Sequence, residues 1–170
     1  MSAPTDSLGE AGRRRILEAL EQVHDPEIPA LSIVDLGILR GIETAPDGTT
    51  VVRITPTYTG CPATRLIELE VRAALDRAGF PDVRVETVLS PPWTTDWITE
   101  RGRQRLREAG IAPPERGGDR ASLFGPEPEV ACPRCGSADT ERVSEFGSTA
   151  CKALYRCRSC QEPFEYFKCL

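Results

Sequence analysis

Two C-x2-C pairs, Cys132-Pro133-Arg134-Cys135 and Cys157-Arg158-Ser159-Cys160, are separated by 21 residues within a chain of 170. No other feature constrains the fold as tightly. A segment of roughly 40 residues buries too little apolar surface to stabilise itself and needs a staple. Each pair presents two thiolates from one tight turn, and two pairs complete a tetrahedral sulfur shell. A structural zinc ion contributes about 10 to 16 kcal/mol to the folding of such short chains. Cys132, Cys135, Cys157 and Cys160 are therefore the expected metal ligands.

Between and after the pairs, Glu141 to Phe146, Ala150 to Arg156 and Pro163 to Cys169 read as strands, the first two joined at Gly147-Ser148. The pattern is that of a rubredoxin-like zinc ribbon over 131–170. Four thiolates also satisfy an iron-sulfur cluster, so spacing leaves that alternative open beside zinc. Cys151 and Cys169 stand outside the pairs, as additional ligands or as small buried hydrophobes. Tyr155, Phe164, Tyr166 and Phe167 offer a contact surface, at least half of it spent on packing the ribbon. From Pro113 onward there are eight basic and nine acidic residues. That balance favours a protein partner over nucleic acid.

Rare residues exclude several chemistries. His24 is the single histidine, and Lys152 and Lys168 are the only lysines. A Ser-His-Asp triad would have to use His24. Glu21 to His24 has the Glu-x-x-His spacing of di-iron carboxylate sites, but such sites need two of these motifs. No glycine-rich phosphate cradle is present. Independent catalysis is thus not expected, and no catalytic residue is assigned. The net charge of −5 gives no reason for nucleic-acid binding. No long apolar run suits a membrane span, and the start of the chain has no signal-peptide pattern, so a cytoplasmic location is expected. Cysteines in such a compartment point to metal or redox chemistry before disulfides.

The preceding residues read as a small α/β (α+β) sandwich over 8–110, followed by a Pro- and Gly-rich linker over 111–130. Ser7 to Glu10 reads as a capping box, and Ile16, Leu17, Leu20 and Val23 continue a helix to about His24. Arg13-Arg14-Arg15 reads as a solvated face. Ile38 to Thr44 and Thr50 to Thr57 suggest a hairpin about Pro46-Asp47-Gly48. Pro62 opens a second helix that Gly79 stops. Val83 to Leu89 suggests a third strand, and Thr95 to Ala109 a further helix. Trp93 and Trp97 read as packing residues.

Cys61 precedes Pro62 at the expected N-cap of the second helix. Unpaired N–H groups and partial positive charge at a helix start favour a thiolate, and Gly60 and Pro62 suit a loop that projects it. Asp25 and Glu27, on the Pro-punctuated loop, are candidate neighbours. From the residues alone, a buried inert cysteine is as well supported as a reactive one.

Asp25-Pro26-Glu27, Val34-Asp35-Leu36-Gly37, Ile54-Thr55-Pro56-Thr57, Gly60-Cys61-Pro62 and Pro91-Pro92-Trp93-Thr94 resemble the small domain of iron-sulfur assembly factors such as SufT. With Ser144 to Lys152 and Phe164 to Cys169 added, the whole chain resembles the PaaD family, the D subunits of phenylacetyl-CoA epoxidase systems. The resemblance implies an accessory protein of aerobic phenylacetate degradation that aids iron-sulfur or di-iron centre maturation. Its partners would be the oxygenase and reductase subunits of the epoxidase. It makes Cys61 the functional thiol, transiently holding iron or an iron-sulfur cluster, with Asp25, Glu27 and Thr57 as neighbours. A structural subunit and an iron-sulfur electron-transfer or thiol redox protein are the alternatives, and a homo-oligomer is allowed.

Overall fold

Residues 8–58, 60–117 and 128–168 are described by the computed structural model, and the chain divides into two units between Trp93 and Thr94. In the first unit α1 (Gly9–Leu20) fully buries Ile16 and Leu20, one helical turn apart. Its N-cap is Leu8, and no side chain caps it. Ser7 lies outside the described residues. The helix ends at Leu20, earlier than the periodicity suggests. His24, expected at a helix end, instead pairs with Ser32 in an isolated bridge. The arginine run is not merely solvated: Arg13 donates to the Ile42 carbonyl, and Arg15 donates to the Ala78 carbonyl at 2.8 Å and covers the Phe80 ring.

Leu31, Ile33 and Leu36 are fully buried along the loop that leads to β1 (Leu39–Thr44). β1 pairs antiparallel with β2 (Thr50–Ile54). Pro46 and Asp47 are the centre of the turn between them, closed by the Gly48 N–H on the Ala45 carbonyl at 2.9 Å, and Gly48 follows at φ +83, a conformation that L side chains rarely adopt. After α2 (Ala63–Arg77) the chain returns as β3 (Arg84–Thr87), parallel to β2. The sheet order is β1-β2-β3. Its central strand buries Val51, Val52 and Ile54, and α2 buries Ile67, Val71, Ala74 and Leu75 while packing on α1 and β3. The Trp93 indole N–H donates to the Leu36 carbonyl at 2.8 Å.

The second unit starts before the expected boundary near residue 110. A 3-10 turn (Thr95–Trp97) and α3 (Glu100–Glu108), expected as one helix, are distinct, because Thr99 is an N-cap that accepts the Gly102 N–H at 3.0 Å. Arg103 is buried and donates to the Thr95 and Pro114 carbonyls, tying both ends of this segment. β4 (Ile111–Ala112), expected as linker, pairs parallel with β7 (Pro163–Phe167). With β5 (Thr140–Ser144) and β6 (Lys152–Cys157) they form a sheet of order β4-β7-β6-β5. Tyr155, Phe164, Tyr166 and Phe167 are all buried, with Tyr155 stacked 5.9 Å from Phe164 and edge-on to Tyr166 at 5.6 Å. Rather than offering a contact surface, they form the ribbon core. No helix among the described residues is long and apolar enough to cross a membrane.

Candidate functional site

The ribbon sheet brings Cys132, Cys135, Cys157 and Cys160 together, all four sulfurs within 4.8 Å of one another. Two loops deliver them. Gly136, at φ +75, closes the first by donating its N–H to the Cys132 carbonyl at 2.9 Å, and the Cys160 N–H points at the Cys157 sulfur at 3.4 Å in the second. The Ser137 and Ser159 hydroxyls, 2.8 Å apart, join the two loops.

Zinc–sulfur bonds of about 2.3 Å in a tetrahedron place neighbouring sulfurs roughly 3.8 Å apart. Cys132 and Cys160 are separated by 3.8 Å and Cys135 and Cys157 by 3.6 Å. The shell therefore fits one tetrahedral ion such as zinc. A cluster spreads its cysteines over two or more irons, which holds their sulfurs farther apart than this shell does. Hydrogen bonds among the cysteines draw the acidities of Cys157 and Cys160 apart. The Cys160 N–H, with hydrogen bonds from neighbouring thiols, brings Cys157 down to about 7. At Cys160 the Glu162 N–H acts to lower the pKa, but burial and the surrounding sulfurs push it up to about 12. So divided a set of protons is what a dication would displace.

Cys151 is buried but does not join the cluster, and its sulfur lies 3.1 Å from the Thr149 hydroxyl. Cys169 lies outside the described residues. Among the described residues of this unit, Phe146 is an exposed aromatic, 60% accessible and covered on one face by the Lys168 ammonium, 4.2 Å from the ring centre.

In the first unit, Asp25, Thr57 and Cys61 line one small cavity with Thr55, Pro56 and Thr64, walled by Ile38, Ile54 and Ile67. Cys61 is half-buried. It stands one residue before the N-cap, which is Pro62, so it does not occupy the expected cap position. Its N–H donates to the Tyr58 carbonyl and its carbonyl accepts from Thr64, both at 3.2 Å. Gly60 permits this turn by adopting φ +85. Asp25 is 6% accessible, and its Oδ1 accepts the N–H groups of Glu27 at 2.8 Å and Ile28 at 2.9 Å, which fixes the carboxylate in place. Glu27 contributes this N–H but does not line the cavity. Thr55 does line it and was not among the expected neighbours. A polar residue just after a buried strand is the one signal for it.

Residues 117–168 match the family model described as PaaD zinc beta ribbon domain, and residues 13–89 match the one described as iron-sulfur cluster assembly protein. A protein of Escherichia coli (strain K12), provisionally named as the D subunit of 1,2-phenylacetyl-CoA epoxidase, is 54% identical over 151 residues, 89% of either chain. The Fe-S protein maturation auxiliary factor YitW of Bacillus subtilis (strain 168) is 42% identical over 98 residues, 57% of this chain and 95% of its own. Among solved structures, a domain of unknown function, DUF59, from Bacillus anthracis superimposes with a TM-score of 0.52 at 27% identity, covering 57% of this chain and 92% of that one.

Proposed function

Because the chain belongs to the PaaD family, we propose that it is a cytoplasmic accessory protein of a phenylacetyl-CoA 1,2-epoxidase system in aerobic phenylacetate degradation, assisting maturation of the iron-sulfur or di-iron centre of its oxygenase or reductase partner. The observation that carries this reading is the joint placement of Cys61, Asp25 and Thr57 on one cavity within the segment matched by the iron-sulfur assembly model. A half-buried thiol beside a fixed carboxylate grips a metal cargo through one soft and one hard ligand. Two charged ligands from one chain leave coordination positions for a client to occupy. Cargo then leaves by ligand exchange, as thiolate and carboxylate are replaced one at a time.

The ribbon has a different role. Its four cysteines close a structural centre with no open position, where zinc would supply folding energy and no reaction. The folded ribbon presents Val143 and Phe146, 57% and 60% accessible, to a protein partner.

Cys61→Ala in cells that produce the epoxidase tests the proposal. The variant is expected to fold and to leave the purified oxygenase or reductase short of iron. Fully metallated and fully active epoxidase from the Cys61→Ala strain would overturn it. The name of the Escherichia coli relative, which makes it part of an epoxidase, favours a second reading, permanent membership of the complex. Stoichiometric co-purification with the oxygenase through stringent washing, with normal iron content in the Cys61→Ala strain, would establish that instead.

A further inference from the structure

The two cysteine loops of the ribbon are built alike. The Cys132 N–H donates to the Ser137 carbonyl and the Cys157 N–H to the Glu162 carbonyl, both at 2.9 Å. In each loop the N–H two residues beyond the second cysteine, on Ser137 or Glu162, faces that cysteine's sulfur. The shared turn places a left-handed residue directly after the second cysteine. In the first loop this is Gly136 at φ +75. In the second it is Gln161 at φ +64, the one non-glycine residue with positive φ among the described residues. Glycine takes this conformation freely, whereas the Cβ of glutamine disfavours it. Such strain persists where surrounding contacts hold it in place.

The Gln161 side chain supplies two such contacts. Its Nε2 donates to the Arg158 carbonyl at 2.7 Å, and its Oε1 accepts from the Arg156 guanidinium. These partners fix which amide atom is which, since a carbonyl only accepts and a guanidinium only donates. A peptide group is planar, and in its trans form the C=O and N–H point in opposite directions. Holding the Arg158 carbonyl therefore aims the N–H of the same peptide, on Ser159, which faces the Cys157 sulfur. The Cys160 N–H reaches that sulfur at 3.4 Å. Gly136 has no side chain with which to do the same in the first loop. N–H groups aimed at a thiolate spread its charge and fix its direction, which is how residues around metal ligands generally act.

We propose that Gln161 is a positioning residue of the four-cysteine centre, its amide fixing the Arg158–Ser159 peptide against the Cys157 sulfur and so slowing the loss of metal from the second loop. This rests on the metal-centre reading of the ribbon above and adds the side chain that sets how fast the centre opens. In that loss a sulfur–metal bond breaks, the thiolate takes a proton from water, and no electron changes hands.

The test uses the full chain loaded with zinc and follows transfer of that zinc to an excess of a chromogenic chelator. Gln161→Gly relieves the left-handed backbone but removes the amide. Gln161→Glu keeps the length and the bond from Arg156 and cannot donate to the Arg158 carbonyl. Both variants should fold, bind zinc, and release it about tenfold or more faster than the parent, matching the loss of affinity usual when contacts around metal ligands are removed. With Co2+ in place of zinc, the thiolate-to-cobalt absorption band should move to longer wavelength in both, because a sulfur that has lost an N–H contact gives up charge more readily. A residue that merely shapes the turn predicts the opposite for Gln161→Gly, whose relieved backbone would release zinc no faster than the parent, with an unmoved band. Either of those results, or parent-like release from Gln161→Glu, would overturn the proposal. A folded parent chain that binds no metal through Cys132, Cys135, Cys157 and Cys160 would instead sink the metal-centre reading itself, and this proposal with it.

Discussion

Leu20, Leu31, Ile33 and Leu36 are fully enclosed in the first unit, whereas the enclosed residues of the ribbon include two of its own candidate ligands, Cys132 and Cys157. The contrast is one of redundancy. An apolar core spreads its stabilisation over many contacts, each replaceable in part. A metal centre concentrates it in four bonds that form together. The first unit can therefore keep its single cysteine half-buried beside a small cavity and out of its core, while the ribbon draws four of its own together.

The comparison breaks most sharply at the ribbon. Cys135→Ala, or a strong chelator, should remove the metal centre proposed for the ribbon, of a kind worth about 10 to 16 kcal/mol. Amide hydrogen exchange should then show 128–168 without protection while the first unit keeps its own. A protected ribbon after metal removal would mean that the aromatic core suffices. Next in size is Leu75→Ala, a fully packed position on α2. It should cost about 2 to 5 kcal/mol, read in a denaturant titration, without releasing metal from the ribbon.

A smaller effect depends on pH. Lys152 and Glu165 form a largely buried pair at 3.0 Å. Burial raises the Glu165 pKa, but the Ser148 N–H and hydroxyl and the Lys152 ammonium outweigh it and hold the carboxyl below its usual range. A carboxyl depressed in the folded state stabilises above its unfolded value of about 4.3, and that contribution is lost as pH falls through the folded value. Glu165→Gln should therefore destabilise the ribbon by about 3 kcal/mol at pH 7. The gap to the parent should narrow as pH drops below about 4, where the parent carboxyl also protonates. The least effect on stability belongs to Cys61→Ala, less than about 1 kcal/mol for a half-buried thiol with no core role. Thermal unfolding checks it. A large loss there would sharpen the comparison the other way, by making Cys61 structural.

Local patterns recovered the elements that rest on local physics. The apolar repeat of α2 with its glycine stop, the Pro46-Asp47 turn and the three ribbon strands fall within a few residues of expectation. β4 escaped because two residues carry no period and their partner strand lies more than fifty positions downstream. The end of α1 was overrun because Val23 continues the helical spacing, yet its N–H bonds back to Leu20 and the next residues turn away to pair with Ser32. At the site, C-x2-C spacing encodes a four-sulfur shell in the sequence itself. The Cys61 cavity is assembled from a loop, a strand end and a helix entrance. No spacing rule joins those parts, which is why the Pro-punctuated loop offered Glu27 as readily as Asp25, resemblance added Thr57, and Thr55 needed coordinates.

Since β4 and the first cysteine loop both belong to the second unit, the stretch between Gly117 and Pro128 starts and finishes on the same body. Its ten residues, 118–127, therefore join two parts of one unit and are not the link between the units. Doubling the length of a flexible connection costs only about 0.6 kcal/mol in closure entropy. A fluorophore or an affinity handle inserted there is expected to leave each unit folded.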